Sequence, residues 1–311
     1  MIAVGAMVVA PLLGAAPVSA LTISPVLIEY EVEPGDAIVG SVKLSNETEA
    51  TETYYPSVQD FVSTDETSGS PSFVGMADTR SLVKWVSFTR TSYTLEPGES
   101  VFVAYNLVIP QEALPGGYTG ALLFSSSPGE VGEGLGAVGA TGPLLLVRVA
   151  GDLVEKGSVT DFSVKQDSST SLPVDFAIRF QNDGNVQVKP SGVIRITNMF
   201  GGTAAVIPVN EAGGNVLASS ARQFSASWQK TELPDGASEL VKEWKNFGFG
   251  PYTATLILNY GESNQVSSAT TTFWVMPWML VVLFVILLVI LALLVMQYNK
   301  WIVAQAMKSR K

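Results

Sequence analysis

The chain has 311 residues and a formal net charge of −10; 15% of its residues are charged and 47% are hydrophobic. This balance excludes a disordered chain, which would be poorer in apolar residues, and a nucleic-acid-binding protein, which would carry an excess of cations. Histidine and cysteine are both absent, which excludes triads built on either residue, the usual zinc and iron–sulfur centres, and disulfides. We therefore expect no cofactor, no metal and no nucleic acid, and a fold that rests on core burial.

The first twenty residues predict a secretory signal peptide. Positions 2–13 are almost wholly apolar, and Val18-Ser19-Ala20 offers the small residues that a signal peptidase requires before its cleavage site. The usual cation before the apolar stretch is missing, so either the terminal amine replaces it or the natural start lies upstream of Met1. The alternative is a buried N-terminal segment.

Residues 21–272 predict β-strands with one apolar face. Apolar and polar residues alternate there with a period of two, and Pro-Gly and Asn-Asp-Gly turn signals separate the runs. The apolar sets that share a face are Ile38, Val42 and Leu44; Val101, Val103, Tyr105 and Leu107; Val174, Phe176, Ile178 and Phe180; Phe224, Ala226 and Trp228; and Tyr252, Ala254, Leu256 and Leu258. This pattern is typical of antiparallel sandwiches.

The same region contains an internal repeat. The segment Gly116–Leu122 matches Gly250–Leu256, and upstream of each copy an alternating strand ends at an asparagine. The spacing from that asparagine to the repeat tyrosine is 72 residues, from position 46 to 118, in one half and 70 residues, from 182 to 252, in the other. We therefore predict an all-β fold of two tandem immunoglobulin-like β-sandwiches, residues 21–151 and 157–272, in which the hydroxyls of the two tyrosines bond nearby backbone.

Residues 273–297 predict a single C-terminal transmembrane α-helix. The stretch from 273 to 296 has no charged residue and would form about 36 Å of helix, enough to cross roughly 30 Å of hydrocarbon. Trp274 and Trp278 at one boundary, and Tyr298 and Trp301 at the other, are the expected interfacial anchors. A long buried core helix is the alternative.

The charge distribution predicts an orientation. Residues 298–311 carry four of the 18 cations and none of the 28 acids, which leaves a formal charge of −14 on residues 21–272. Cations beside a membrane span favour the cytoplasmic side. We therefore expect a single-pass protein of the plasma membrane, with extracellular sandwiches and a basic cytoplasmic tail over 298–311.

No residue pattern predicts catalysis. Ser81–Lys84 and Ser227–Lys230 both fit the Ser-x-x-Lys motif, but both lie on strand patterns rather than at the start of a helix. We predict that the protein is not an enzyme. The rival is a cell-wall hydrolase that uses aspartate and glutamate alone.

Four aromatic residues are candidates for partner binding, because exposed tryptophan and tyrosine suit stacking on sugars and protein hot spots. They are Trp85, Tyr54, Tyr55 and Trp244. Trp228 shares an apolar face with its strand neighbours and is predicted to lie in the core. The loops at 63–80 and 125–142 are long enough to be functional or disordered, and their roles stay open.

Turn and strand signatures along the chain resemble those of bacterial WxL-interacting cell-surface proteins. In the first half the ordered series is Ile23-Ser24-Pro25, Glu33-Pro34-Gly35, a strand that ends at Asn46, Leu95–Glu99 and Pro115–Tyr118. In the second half it is Asn182–Asn185, Lys189–Gly192, Gly213–Leu217 and Phe249–Tyr252. The resemblance covers nearly the whole chain, and it implies peptidoglycan attachment by the first domain and protein or host binding by the second.

Together these expectations predict a membrane-anchored binding or scaffold protein of the bacterial cell surface, which tethers to peptidoglycan or to another surface protein. Because residues 21–272 are acidic, anionic wall polymers would repel them, so binding is expected to use stacking, hydrogen bonds or edge-strand pairing. A structural spacer, or the sensor part of a membrane complex, is the alternative.

Overall fold

The structure is a computed structural model that describes residues 21–63, 71–74, 76–77, 80–128, 140–166, 168–234 and 236–308, with side chains described as far as Ile302. The predicted signal peptide, residues 1–20, lies outside the described residues, as do parts of the loops at 63–80 and 125–142. Apart from residues 63–71, the chain divides into two compact units whose boundary lies between Asp152 and Leu153.

The first unit is a sandwich of two β-sheets. Its strands are β1 (Leu21–Ser24), β2 (Leu27–Val32), β3 (Ala37–Asn46), β4 (Glu52–Ser63), β5 (Pro71–Val74), β6 (Val86–Phe88), β7 (Tyr93–Leu95), β8 (Ser100–Val108), β9 (Gly116–Ser125) and β10 (Leu144–Val149). One sheet has the order β1-β3-β8-β6, and the other has the order β2-β10-β9-β4-β5 with β7 paired to β4. The two sheets enclose one apolar core.

The β2–β10 pair is parallel, so the expectation of purely antiparallel sheets is wrong at this point. β1 and β2 are joined by only Pro25 and Val26 but belong to different sheets, so the chain leaves one sheet and joins the other within these two residues. In this second sheet β2 lies beside β10 and runs in the same direction.

The second unit is a sandwich that carries two helices. Its elements are β11 (Gly157–Val164), β12 (Ser168–Ser169), β13 (Val174–Asn182), β14 (Ser191–Asn198), β15 (Thr203–Val209), β16 (Ser220–Trp228), α1 (Glu239–Lys245), β17 (Gly250–Tyr260), β18 (Gln265–Val275) and α2 (Trp278–Lys308). The sheets have the orders β11-β13-β16 and β12-β18-β17-β14-β15. Trp228 is buried in the core between them, as predicted.

Apart from β6 and β7, which have no counterpart among the strands of the second sandwich, the two sandwiches have the same strand order. The sheet β11-β13-β16 corresponds to β1-β3-β8, and β12-β18-β17-β14-β15 corresponds to β2-β10-β9-β4-β5. Even the parallel pair recurs, because β12 runs parallel to β18 as β2 does to β10. The prediction of two tandem immunoglobulin-like sandwiches followed by one apolar helix is confirmed.

A buried asparagine closes the equivalent strand in each sandwich. Asn46, at the end of β3, is fully buried, and its amide nitrogen donates to the carbonyl oxygens of Ala50, Leu95 and Glu96 at 2.8, 3.1 and 3.3 Å. Its side-chain oxygen accepts a bond from the Tyr54 hydroxyl at 3.2 Å. One side chain therefore holds the β3–β4 turn to the β7–β8 turn.

Asn182, at the end of β13, repeats this arrangement in the second sandwich. Its amide nitrogen donates to the carbonyl oxygens of Val186, Val216 and Leu217 at 2.8, 3.1 and 3.0 Å. Its side-chain oxygen accepts the Gly184 N–H at 2.9 Å. The strand ends from which the sequence repeat was inferred are thus equivalent points of two folded copies.

The predicted transmembrane segment begins too early. Phe273 and Val275 belong to β18 and are buried in the core of the second sandwich. The helix starts at Trp278, directly after Pro277, and continues to Lys308 through much of the predicted tail. Hydropathy cannot separate an apolar strand from an apolar helix that follows it, which is why the boundary at 273 is wrong.

Candidate functional site

The most unusual surface of the protein is α2. Residues Trp278–Ile302 form a stretch of 25 residues that is long and apolar enough to cross a membrane, and an 18-residue window within it has a mean hydropathy of 3.6. No residue of that stretch is buried, whereas the core helix of a soluble domain packs one face against its own protein. Within the described residues, the fold therefore leaves the apolar surface of Trp278–Ile302 uncovered.

The structure places three of the four predicted interfacial anchors on α2. Trp278 is its first residue, and Tyr298 and Trp301 lie near its other end with ring centroids 6.1 Å apart. All three are exposed. Trp274 lies instead on β18, where it is exposed on the outer face of the strand, so it precedes the helix.

A buried carboxylate joins α1 to the beginning of α2. Glu243 is 2% exposed, and its two carboxylate oxygens accept the backbone N–H groups of Met279 at 3.2 Å and Leu280 at 2.9 Å. Amides in the first turn of a helix have no partner within the helix, and a negative charge there complements the helix dipole. Glu243 therefore caps α2 from a neighbouring element and fixes α1 beside it.

An apolar groove of about 850 Å³ lies at the junction of the two helices. One wall consists of Trp244, Phe247 and Phe249, and the other is the first part of α2 from Trp278 to Leu287. Every side chain that lines the groove is apolar. The groove can hold an aliphatic or aromatic group, and it offers no side chain for acid–base chemistry.

Tyr54 is wrong as a partner-binding candidate. It lies on β4 with its side chain 5% exposed, inside the core of the first sandwich, and its hydroxyl bonds Asn46. Burial, with a smaller contribution from Glu52, raises the pKa of this hydroxyl. Neighbouring residues on a strand point to opposite faces, so Tyr55 points away from this core and is half-buried.

Trp85 and Tyr118 form a packed aromatic pair in the first sandwich. Their ring centroids are 4.3 Å apart, and Trp85 is half-buried. The Tyr118 hydroxyl donates to the Leu114 carbonyl at 3.1 Å, and burial raises its pKa. The prediction that the repeat tyrosine bonds nearby backbone is confirmed, and Trp85 retains only part of its face for a partner.

Trp244 is the most exposed of the four aromatic candidates. It lies on α1 with 71% of its surface exposed and lines the groove beside α2. In the same sandwich the Tyr252 hydroxyl accepts the Phe249 N–H at 3.2 Å, which fixes the loop after α1. The second repeat tyrosine thus bonds backbone as well.

The buried carboxylates of the described residues, Asp60 and Glu243, both bond backbone amides. Asp60 accepts the N–H groups of Ala77 and Leu82, each at 2.8 Å, and so holds the segment that leads to Trp85. No group of three potential metal ligands occurs in the part of the chain that the structure describes. The burial of each acid is accounted for by these structural bonds.

Sequence reasoning missed Glu243, Phe247 and Phe249. The stretch 238–249 carries apolar residues at 240, 241, 244 and 247, a helical spacing in a region otherwise dominated by period-two alternation. That change of period marks the insertion of α1. Nothing in the sequence shows that Glu243 reaches the amides of a later helix, because that contact depends on the fold.

No protein-family model matches the chain, and the search of curated proteins finds no match. Among solved structures, the chain is similar to the class 5 fimbriae chaperone CfaA, with 11% identity and a TM-score of 0.38 over 82% of this chain and 99% of that one. The Pseudomonas aeruginosa CupB2 chaperone gives 11% identity and a TM-score of 0.35 over 80% and 98%. The Salmonella enterica SafA pilin in complex with the SafB chaperone gives 10% and 0.36 over 83% and 99%. A likeness at this level carries no conclusion about function.

Proposed function

We propose that the protein is a single-pass scaffold of the bacterial cell surface, anchored by α2, whose extracellular sandwiches bind peptidoglycan or another surface protein. The observation that carries the proposal is the uncovered apolar stretch Trp278–Ile302, which follows β18 after a link of two residues. Apolar surface in water costs roughly 25 cal/mol per Å², so a bilayer is the environment that suits this helix.

The charge asymmetry supports the orientation. The described helix carries its cations at Lys300 and Lys308, beyond most of the apolar stretch, while all 28 acids precede it. Cations at the end of a span favour the cytoplasmic side. The sandwiches then lie outside the cell, where a cysteine-free fold is indifferent to the redox state of its surroundings.

The first sandwich offers a strand edge to a partner. β2 ends its sheet, so one of its edges has no strand beside it in the described structure. Val26, which directly precedes β2, and Leu27, the first residue of β2, are 76% and 38% exposed. An open edge with exposed apolar side chains supports binding by strand addition or by apolar contact, both of which tolerate the acidic charge of the sandwiches.

Co-sedimentation of the full-length protein in nanodiscs with purified peptidoglycan tests the binding. We expect retention that survives about 0.5 M salt, where exposed charges are screened within a few ångströms. Val26→Glu, at the open edge of the first sandwich, should reduce retention. The matched control is Val206→Glu, an exposed valine on the edge strand β15 of the second sandwich, which should leave retention unchanged.

A parallel pull-down from cell-surface extract separates the two partner classes. Recovery of one surface protein that Val26→Glu abolishes would assign the site to a protein partner in place of peptidoglycan. If neither partner is retained, the binding role fails and a spacer remains. Protease added to intact cells tests the topology, and protection of the sandwiches in that assay would overturn the orientation.

A further inference from the structure

The exposed aromatic side chains of the second sandwich gather at one end. At this end, which we call the helix end, β14 and β18 finish and β17 begins, because Asn198 pairs with Tyr252 and Gly250 pairs with Val275. The β14–β15 turn, the loop after α1 and the start of α2 all project from it. On the turn, on α1 and on the loop after α1, the exposed large side chains include Phe200 (88%), Leu240 (43%), Trp244 (71%), Phe247 (47%) and Phe249 (47%), and we call these five the apolar collar.

The opposite end of the same sandwich, which we call the polar end, has polar turns and exposes no aromatic side chain among the described residues. Its turns are Asp183–Asn185, Asn210–Asn215 and Gly261–Asn264, and none of them contains an aromatic residue. The registers place these turns together, since Gly157 pairs with Asn182, Gly192 with Val209, and Tyr260 with Gln265. Ordinary surface composition does not concentrate aromatic residues at one end, so the collar indicates a specific contact.

The collar is held in place beside α2. The Glu243 bonds to Met279 and Leu280 tie α1 to the helix start, and Lys230 donates to the Phe247 carbonyl at 2.6 Å. Met276, in the link before α2, donates its N–H to the Ser169 carbonyl at 2.8 Å. A second groove, on the Leu240 side of α1, is lined by α2 residues as far as Ile286. The collar residues Leu240, Trp244, Phe247 and Phe249 therefore flank the first turns of the apolar helix on two sides.

We infer that the apolar collar is seated in the headgroup region of the bilayer, so that membrane lipid fills the grooves between α1 and α2. The inference rests on the proposed function, because it requires α2 to lie in the membrane. Lipid is the occupant because α2 forms one wall of each groove. The α2 residues in these walls lie between Trp278 and Leu287 and belong to the proposed membrane span itself. Aromatic rings prefer the level of the headgroups, and a short apolar helix face adds to such binding.

The absence of cysteine from the chain permits a direct test on the full-length protein. Single cysteines labelled with an environment-sensitive fluorophore are placed at Lys245→Cys, which leaves every collar side chain intact, and at Phe200→Cys. Val266→Cys, on an exposed residue at the polar end, is the matched control. Leu287→Cys, within α2, reports insertion of the helix independently. Vesicles of phosphatidylcholine and phosphatidylglycerol contain lipids with a nitroxide quencher near the headgroup or deep in the acyl chain.

We expect the shallow quencher to reduce the fluorescence at positions 245 and 200 several-fold more than at 266, and the deep quencher to act on position 287. If 287 is quenched while 245 and 200 respond like 266, the collar inference is overturned and the anchor stands. If 287 is not quenched, the anchor itself fails. Shielding of 245 and 200 from aqueous iodide without lipid quenching would assign the collar to a protein partner or a second copy, which also overturns the inference.

Discussion

The two sandwiches share most of their strand order, and one of the connections in which they differ carries a helix in the second sandwich. In the first sandwich, residues 109–115 join β8 to β9; in the second, residues 229–249 join the equivalent strands β16 and β17 and carry α1. In both copies a glycine with positive φ precedes the repeat tyrosine, Gly116 at 135° and Gly250 at 93°. The comparison teaches that a duplicated scaffold can acquire a separate surface by lengthening a loop, while the shared strands and the buried asparagines Asn46 and Asn182, which we call the hub asparagines, stay equivalent.

The largest expected effect tests whether the two hub asparagines are equivalent. Asn46→Ala and Asn182→Ala each leave three carbonyl oxygens without their side-chain donor inside a buried turn. We expect each substitution to lower the free energy of unfolding of its own sandwich by about 3 kcal/mol, as for other broken buried networks. Calorimetry of the full-length protein should show one shifted transition in each variant, with the other unmoved.

The control for this pair is Asn259→Ala, an exposed asparagine on β17, which should change stability by less than about 0.5 kcal/mol. A single transition that shifts as a whole with either hub variant would contradict the view that the sandwiches unfold as separate units.

A smaller, local effect is expected at the feature that the first sandwich lacks. Glu243→Ala removes the acceptor for the Met279 and Leu280 amides, at a cost of about 1–3 kcal/mol for the junction of α1 and α2. Hydrogen exchange in nanodiscs should show faster exchange of these two amides and of α1, with the sheets unchanged. Glu243→Gln keeps one acceptor oxygen and should retain part of the protection, and equal loss in both variants would count against the capping role.

The smallest effect at neutral pH concerns Tyr105 in the first sandwich, whose hydroxyl lies 2.9 Å from that of Tyr30. Tyr105→Phe should cost about 1 kcal/mol there, the usual net contribution of a hydrogen bond. Burial raises the pKa of the Tyr105 hydroxyl far above its ordinary value near 10, and the bond to Tyr30 adds to the shift. The folded state therefore holds this proton at pH values where the unfolded chain has released it.

The sign of the pH dependence follows from the difference between the folded-state and unfolded-state pKa of the Tyr105 hydroxyl. The stabilising contribution is complete below pH 10, and it is lost as the pH rises from there towards the folded-state pKa. Unfolding midpoints measured between pH 8 and about 11 should show the first sandwich losing less stability in Tyr105→Phe than in the unsubstituted protein. If the unfolding midpoints of the two proteins fall equally with pH, the raised pKa does not belong to Tyr105.

The sequence predicted the cores well because a strand with one buried face must alternate apolar and polar residues. The apolar residues of β8, β13 and β17 face inward as their period-two pattern indicates, and the spacing of Asn46 and Asn182 located the duplication. The parallel pairs were not predicted, since pairing direction depends on which sheet a strand joins and not on its own residues.

The site was predicted less completely, because its residues act through contacts that span the chain. Alternation did not reveal which of Tyr54 and Tyr55 faces the core, so the buried one was taken for a binding candidate. The exposure of Trp244 was an open question that only its position on α1 decides. Hydropathy found the apolar helix, but it counted the last residues of β18 as part of it.

The short link between β18 and α2 has a mechanical consequence. The chain enters the second sandwich at Gly157 in β11, at the polar end, and leaves it at Val275 in β18, at the helix end. If the protein is a tether, tension along the chain pulls these two strands in opposite directions along their length. The register from Gly250–Val275 to Tyr260–Gln265 is then loaded in shear, so its hydrogen bonds resist together instead of opening one after another. Only Met276 and Pro277 lie between the strand and the helix. Because this link is too short to extend appreciably, the force passes directly between the sandwich and the anchor.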